Sequence, residues 1–164
     1  MAGISEKIKK IKARARLRLN EVRRDASAIS WATLCYVHRA NHISNHINMT
    51  DQELIDRLLD EDITGSSSFY GDEDEVALII RDTLLDEEYE SPLQIAEWLE
   101  DYSSDDEIVM LKTYNYPIGK TFLRSQNHDW SKGAMDCYTA VVVLQKISRK
   151  EDFGWRVKTA YPEP

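Results

Sequence analysis

The stretch that decides the fold is "YTAVVVLQKISRKEDFGWRVKTAYP", at residues 138–162. Its two ends are rich in β-branched and aromatic residues, which fit the pleated surface of a sheet. The polar segment "SRKEDFG" that separates them is typical of a hairpin loop. The segment "EIVMLKTY", at residues 107–114, has the same strand-like composition. We therefore predict antiparallel strands in the last third of the chain.

Helical patterns precede these strands. Apolar residues recur at spacings of three and four, with Lys and Arg on the other faces: Ile4, Ile8, Ile11, Ala15, Leu19 and Val22. This period predicts an amphipathic helix, and packing against the protein's own domain is the commonest use of such an apolar stripe. A second apolar pattern begins at Ile29, and no Gly or Pro separates it from the first pattern, which ends at Val22. The residues therefore leave open whether one helix or two is formed.

Three motifs mark further helix starts, each with a capping residue: "TDQE" with Thr50, "DEDE" with Asp72 and "SPLQ" with Ser91. In each motif a Ser, Thr or Asp side chain is placed to accept from the first free backbone N–H groups of a helix. Helices followed by strands predict an α+β fold, with N-terminal helices packed on a C-terminal twisted antiparallel β-sheet.

Length and composition favour one compact unit. The chain has 164 residues, of which 42% are hydrophobic and 30% are charged, and this suits a single globular domain with its own core. The longest apolar run, at residues 140–144, is far shorter than the roughly 20 residues of a membrane-spanning helix. We expect no secretory signal peptide in the chain as given and two free thiols, at Cys35 and Cys137.

The net charge of −8 conceals an asymmetry. Residues 1–24 carry +7 and the remainder carries −15. Phosphate neutralisation supplies most non-specific affinity for nucleic acid, so a general nucleic-acid binder is excluded and any RNA site must be local. An acidic surface also favours basic protein partners.

Three of the four histidines follow one another at intervals of four: His38, His42 and His46, with Cys35 three residues earlier. On a helix these side chains share one face, which suggests a zinc site. However, Cys35 and His46 would be about 16 Å apart along that helix, whereas zinc ligands lie about 2 Å from the metal. The zinc-protease pattern H-E-x-x-H is also missing, because Ile43 occupies the position of its glutamate. We therefore predict neither a metal nor another cofactor.

His42 and His46 then have two possible uses, structural hydrogen bonding or acid–base catalysis. A histidine with a pKa near 6.5 can accept and return a proton at neutral pH, which suits phosphodiester cleavage without a metal. The role of Arg57 is also undecided, because this residue lies off the apolar stripe of its helix and could simply form an ion pair with Glu53.

Several segments together resemble a known family, the RNase A-like toxin domains at the C-termini of bacterial contact-dependent growth-inhibition proteins and related polymorphic toxins. The segments are, in order, "NHISNHINMTDQELIDRLL", "SSSFYGDEDEVALIIRDTL", "IAEWL", "IGKTF" and "GWRVKTAYP". The resemblance spans about residues 41–162, so we expect an RNase A-like catalytic domain at 41–164 preceded by a basic amphipathic helical segment at 1–40.

The resemblance implies a metal-independent ribonuclease toxin, used in interbacterial competition and acting on RNA, with tRNA among its targets. It also implies a cognate immunity protein, and delivery from the cell surface into the cytoplasm of a target bacterium. The implied catalytic residues are His46, the general base that leads to a 2′,3′-cyclic phosphate, together with Arg57, Thr159 and Tyr161. The proton donor to the leaving 5′-oxygen is His42 or Tyr161. Further candidates for RNA contact are Lys158, Lys120 and Trp130.

Two other functional classes compete with this interpretation. The chain could be a non-enzymatic acidic module, or a decayed toxin, that binds a basic protein, in which case His46 and Arg57 are ordinary surface residues. It could also be a metal-dependent hydrolase built on His38, His42 and His46, which would carry zinc and be inhibited by a chelator.

Overall fold

The computed structural model describes residues 2–126 and 130–164. The α-helices in these ranges are α1 (Ala2–Ser27), α2 (Trp31–Tyr36), α3 (Asp51–Asp60), α4 (Glu73–Leu84) and α5 (Ser91–Glu100). The strands are β1 (Gly65–Phe69), β2 (Glu107–Thr113), β3 (Gly119–Leu123), β4 (Met135–Cys137), β5 (Thr139–Ser148) and β6 (Phe153–Glu163). Two short 3₁₀ helices occupy Asn41–His46 and Arg124–Gln126. The predicted α+β class is confirmed.

The strands form two sheets rather than the single sheet that the sequence predicted. One sheet has the order β1-β3-β4 and the other has the order β2-β5-β6, and all neighbouring strands are antiparallel. The predicted hairpin is present as β5 and β6, with its loop at 149–152. Strand β1 lies between α3 and α4, in a region that the sequence pattern assigned to helices. Its sequence, "GSSSF", has little β propensity, and it is a strand because it pairs with β3 along its full length.

Two of the three predicted helix caps are confirmed. The Thr50 side chain accepts from the backbone N–H of Glu53 at 3.2 Å, and the Asp72 side chain accepts from that of Glu75 at 2.9 Å. The predicted cap at Ser91 is wrong, because α5 begins at Ser91 and the cap position belongs to Glu90. Glu90 adopts a left-handed backbone with φ 52°, and the preceding turn, rather than a serine side chain, starts the helix.

The first 40 residues form two helices, because Ser30 caps α2 after α1 ends at Ser27. Helix α1 packs against α5, as predicted for a helix of its own domain, and Ala15 and Val22 of its apolar stripe are fully buried. Arg18 lies on the same buried face, where it pairs with Glu100 at 3.5 Å and with Asp152 at 3.7 Å. No helix among residues 2–126 and 130–164 is both long and apolar enough to cross a membrane.

His38 is a structural histidine in the core between α2 and β6. Its side chain is 7% exposed, and its Nδ1 accepts a hydrogen bond from the backbone N–H of Val157 at 2.9 Å. Burial, together with the positive charge of Arg156, lowers the pKa of His38 to about 4, although Asp25 acts in the opposite direction. The folded protein therefore holds His38 neutral, with its remaining ring proton on Nε2.

This histidine should make the stability of the fold depend on pH. Between pH 6.5 and pH 4 the unfolded chain binds a proton at His38 that the folded chain does not, so stability is complete above pH 6.5 and falls as the pH approaches 4. The loss from this group is at most about 3 kcal/mol. His38→Asn keeps an acceptor for Val157 but cannot titrate, so its free energy of unfolding should change less over this window. Denaturant unfolding at pH 7 and pH 4.5 measures the difference.

His38→Ala is the matched comparison, because it removes the acceptor as well as the titrating ring. It should lower the free energy of unfolding at pH 7 by about 1–3 kcal/mol, since the N–H of Val157 loses its buried partner. An asparagine variant with the same pH slope as the wild type would show that other groups dominate the acid sensitivity.

Candidate active site

One cleft of about 680 Å³ brings together the two ends of the region in which the sequence predicted a site. His46 and Arg57 line one part of it, and Thr159 and Tyr161 line another. These residues come from the first 3₁₀ helix, from α3 and from β6, and strands β1 and β3 form the floor between them. The fold therefore places four of the five predicted catalytic side chains around one space.

His46 ends the 3₁₀ helix and is fixed to β1 by the backbone on both sides. Ile43, one turn earlier, is fully buried, and Ile47 forms a parallel bridge with Phe69. The next residue, Asn48, adopts φ 50° and donates its N–H to the carbonyl of Phe69 at 2.9 Å. Asparagine is one of the few residues that tolerate this left-handed backbone. The segment is thus tied down immediately after the histidine.

The hydrogen bonding of His46 determines its tautomer. Nδ1 lies 3.1 Å from the carbonyl oxygen of Ser67, and a carbonyl can only accept, so Nδ1 carries the proton and Nε2 has a lone pair. Burial lowers the pKa of His46, and the positive charges of Arg57 and His42 lower it further, while the bond to Ser67 acts in the opposite direction. His46 is therefore a neutral base at neutral pH, with Nε2 available to accept a proton.

Thr159 and Tyr161 share one face of β6, two residues apart. The register of the β5–β6 hairpin shifts between Val143 and Leu144, which leaves Lys158 as an extra residue in β6 immediately before Thr159. The Tyr161 ring lies 6.2 Å from the His46 ring, centroid to centroid. Burial and the negative charge of Glu163 raise the pKa of Tyr161, so its hydroxyl stays protonated at neutral pH.

A glycine of "IGKTF" brings the two sheets together beside Tyr161. A Cβ atom at Gly119 would lie 2.4 Å from the backbone oxygen of Ser68 and 2.7 Å from Cγ of Pro162. Any larger residue would separate β3 from β1 and β6. Gly119 therefore permits the close contact that positions β6 over the floor of the cleft.

Arg57 lies on the last turn of α3 and is only partly exposed. Its Nε pairs with the carboxylate of Glu61 at 3.1 Å, so the partner suggested by the sequence, Glu53, is wrong. Glu53 instead completes the capping box with Thr50. The Nη1 atom of Arg57 is buried and has no hydrogen-bond partner among the described residues. A guanidinium that lines a cleft is suited to bind an anion there, and the pairing of Nε with Glu61 holds the group in place.

The family model described as "Bacterial CdiA-CT RNAse A domain" matches residues 40–162. The chain belongs to this family. The predicted resemblance is thereby confirmed, and with it the endoribonuclease class of enzyme.

A solved structure, a CdiA-CT/CdiI complex from Y. kristensenii 33638, contains a similar fold. The similarity covers 74% of this chain and 97% of that chain, with a TM-score of 0.60 and 21% sequence identity. At this identity the likeness supports the fold alone. A search of curated proteins finds no match.

In this CdiA-CT RNase A domain, four predicted site residues lie away from the cleft lining: one catalytic candidate, His42, and the three candidates for RNA contact. His42 is exposed, on the same 3₁₀ helix as His46. Lys120 pairs with Asp51 at 2.8 Å and Lys158 pairs with Glu107. Strand alternation explains Lys120, because Thr121 and Leu123 line the cleft, whereas Lys120 and Phe122 lie on the opposite face of β3, toward α3. Trp130 packs beside the small core cluster of α3 and β3, and its Nε1–H donates to the carbonyl of Leu123 at 3.0 Å.

Several lining residues of the CdiA-CT RNase A domain were not predicted. Ser67 and Thr121 face each other across β1 and β3, and they lie on the cleft floor. Asp62 and Glu163 add two carboxylates to the lining. Ser67 and Thr121 could have been found only by recognising β1 as a strand, because their exposure to the cleft follows from that pairing.

The zinc hypothesis finds no cluster to support it in the described part of the chain. No group of three or more His, Cys, Asp or Glu side chains among those residues is arranged to hold a metal ion. His38, the first histidine of the series, uses Nδ1 for Val157, and His46 uses Nδ1 for Ser67. Two of the three histidines thus have one ring nitrogen engaged with the backbone.

Proposed function

We propose that this chain is a metal-independent ribonuclease toxin that cleaves RNA, tRNA included, by attack of a ribose 2′-hydroxyl on the adjacent phosphorus. The observation that carries the proposal is the state of His46. Its Nδ1 is committed to Ser67, and its neutral Nε2 shares a cleft with the guanidinium of Arg57 and the hydroxyls of Thr159 and Tyr161. A base, a cation and hydroxyl donors are the groups that this reaction needs.

His46 acts as the general base. Nε2 removes the proton of the 2′-hydroxyl while the oxygen forms its bond to phosphorus, and the carbonyl of Ser67 stabilises the imidazolium that results. The lowered pKa keeps the base unprotonated at neutral pH. In the same fixed tautomer His46 can return the proton later in the cycle.

Arg57 and Thr159 stabilise the phosphorane. Negative charge grows on the equatorial oxygens in the transition state, so a fixed guanidinium binds that state more strongly than the ground state. The guanidinium of Arg57, which lines the cleft, is the donor that we assign to an equatorial oxygen. The Thr159 hydroxyl is placed to donate to another.

Tyr161 donates the proton that the leaving 5′-oxygen requires. We choose Tyr161 over His42 because Tyr161 lines the cleft and His42 does not. Its raised pKa keeps the hydroxyl protonated until the leaving oxygen develops charge. The products are a 5′-hydroxyl and a 2′,3′-cyclic phosphate. His46 then holds the extra proton and Tyr161 lacks one, so a proton transferred from His46 through solvent restores the starting state.

The biological role follows from the family. We propose that the domain is delivered from the surface of one bacterium, acts in the cytoplasm of another and is neutralised by a cognate immunity protein. Family membership and the CdiA-CT/CdiI complex that shares the fold support this role. Residues 41–164 form the catalytic unit in this proposal, and the basic helical segment at 1–40 packs on it through α1 and α5.

The test is cleavage of total tRNA by the purified protein with and without excess EDTA. We expect equal cleavage in both conditions, with new 3′ ends that carry a cyclic phosphate. A matched substrate with a single 2′-deoxy nucleotide at the mapped site should resist cleavage there, because it lacks the nucleophile. Inhibition by EDTA would favour a metal-dependent hydrolase, and no cleavage of any RNA would favour the acidic interaction module or a decayed toxin.

A further inference from the structure

The C-terminal end of α3 is held by a side chain that is not part of the cleft lining. Arg124, directly after β3, donates from Nε to the carbonyl of Ile63 at 2.7 Å. Its Nη2 donates to the carbonyl of Glu61 at 2.8 Å and to that of Leu58. Its backbone N–H donates to the carbonyl of Thr64 at 2.9 Å. One residue thus binds four carbonyl groups within residues 58–64.

Helix α3 needs such a partner because it lacks the usual means of ending a helix. The last carbonyl groups of a helix have no partner within it, and a glycine in the left-handed region commonly solves this. Here the C-cap is Glu61 with an extended backbone, at φ −122° and ψ 150°. Asp60, Glu61 and Asp62 also place negative charge at the negative end of the helix dipole. The guanidinium of Arg124 supplies both donors and positive charge at this point.

The segment that Arg124 holds carries a large part of the candidate active site. Arg57 immediately precedes Leu58, and Glu61 binds the Nε atom of Arg57. Asp62 and its two following neighbours form one wall of the cleft. His46, Thr159 and Tyr161 lie on other elements. The position of Arg57 relative to them therefore depends on how the end of α3 is fixed to β3.

We propose that Arg124 is a positioning residue for the reaction, which places the guanidinium of Arg57 against the phosphate. This inference rests on the proposed function, since it assigns a role to the same site. Arg124 acts through the backbone of residues 58–64 and contacts neither substrate nor reacting atoms.

The test compares Arg124→Met with the wild type in steady-state cleavage of a short RNA. We expect kcat to fall by about 10²-fold, since a displacement of about 1 Å in a catalytic group has an effect of this size. The fall in kcat should exceed any rise in KM, because the guanidinium of Arg57 binds the transition state more strongly than the ground state. Arg149→Met is the control. Arg149, like Arg124, donates to a backbone carbonyl, and it also pairs with the carboxylate of Asp152, but it lies in the distant β5–β6 loop. This variant should keep kcat within about twofold of the wild type.

A double variant separates positioning from general destabilisation. If Arg124 acts through Arg57, then Arg124→Met should lower kcat by less than about threefold in an Arg57→Gln background. All rates are compared at a temperature where each variant retains the near-ultraviolet circular dichroism of the wild type. Arg124→Lys is a second variant, for use if Arg124→Met does not fold. Lysine keeps the positive charge, but one ammonium group cannot replace the planar guanidinium that binds several carbonyl groups, so kcat should stay low.

Binding of inorganic phosphate gives a measurement that does not depend on catalysis. Calorimetry should show phosphate binding by the wild type, and a dissociation constant at least about fivefold higher in Arg57→Gln and in both Arg124 variants. Absence of RNA cleavage by a wild type that binds phosphate contradicts only the proposed function. Wild-type phosphate affinity in the Arg124 variants, or fully additive losses of kcat, contradicts the role of Arg124. A wild type that neither binds phosphate nor cleaves RNA contradicts both.

Discussion

Replacing His46 with asparagine is expected to reduce RNA cleavage by about 10³-fold, within the range of general base catalysis. The side-chain amide of asparagine can still donate to the carbonyl of Ser67, so the local backbone should be retained. What is lost is Nε2, the atom that accepts the 2′-hydroxyl proton in the proposed reaction. Single-turnover cleavage of tRNA at pH 7, with the amount of cyclic phosphate as the readout, measures the effect.

His42→Asn is the comparison for this variant, because His42 lies four residues earlier on the same 3₁₀ helix and is exposed. It should retain most of the activity. Electrostatic interaction with His42 contributes to the lowered pKa of His46, so replacing His42 should move the acid limb of the pH–rate profile slightly to higher pH. A variant at His42 that is as inactive as the one at His46 would transfer the role of proton donor from Tyr161 to His42. Full activity in His46→Asn would contradict the general-base assignment.

The elements that sequence analysis predicted correctly are those whose signal is local. The β5–β6 hairpin is visible in its β-branched residues and its polar loop, and the caps at Thr50 and Asp72 depend on residues three positions apart. Such features require only neighbours along the chain. The cap at Ser91 was predicted wrongly because the start of α5 depends on a turn rather than on a capping side chain. In that turn Glu90 is left-handed and the N–H of Ser91 donates to the carbonyl of Asp86 at 2.9 Å.

Strand β1 could not be predicted from its own residues. The three serines of "GSSSF" carry little preference for a strand, and their conformation comes from pairing with β3, more than 50 residues later. This long-range pairing also determines what the cleft contains. It supplies the carbonyl of Ser67 that orients His46, a contact between residues 21 positions apart.

The candidate catalytic residues could be named from a resemblance, but their arrangement could not. The residue types at 46, 57, 159 and 161 are common surface residues, and only the fold shows that they surround one space. The same fold places Lys120 on the opposite face of β3 and buries part of Trp130 in a small core. Exposure of a polar or aromatic residue is a property of packing, so it is poorly encoded in a local sequence.

The cleft contains negative charge, which opposes the binding of RNA. Asp62 and Glu163 line the same space as Arg57, and the chain has a net charge of −8. These charges repel the phosphate backbone, so the usual non-specific affinity for RNA is weak. In the proposed reaction the favourable charge comes from Arg57, at the reacting phosphate. Interactions realised there in the transition state raise kcat rather than ground-state affinity.

Arg57→Gln should accordingly have two effects on a single pH–rate profile. The maximum of kcat should fall by about 10²–10³-fold, as expected when a donor to the developing charge is removed. The acid limb of kcat/KM should move to higher pH, because the positive charge of Arg57 lowers the pKa of His46 and its removal lets that pKa rise. Wild-type activity should therefore persist to a lower pH than the activity of the variant.

The two effects distinguish a catalytic Arg57 from a structural one. Glutamine retains a donor for Glu61, so the ion pair on the last turn of α3 is replaced by a hydrogen bond and the helix should remain folded. Glu61→Gln is the control, since it removes the partner of Arg57 but leaves the guanidinium in the cleft, and its kcat should stay well above that of Arg57→Gln. If Arg57→Gln lowered kcat while the acid limb stayed in place, His46 would not be the base that this limb reports. A raised KM with an unchanged kcat would instead assign Arg57 to ground-state binding of RNA. A charge that acts on the transition state must change kcat.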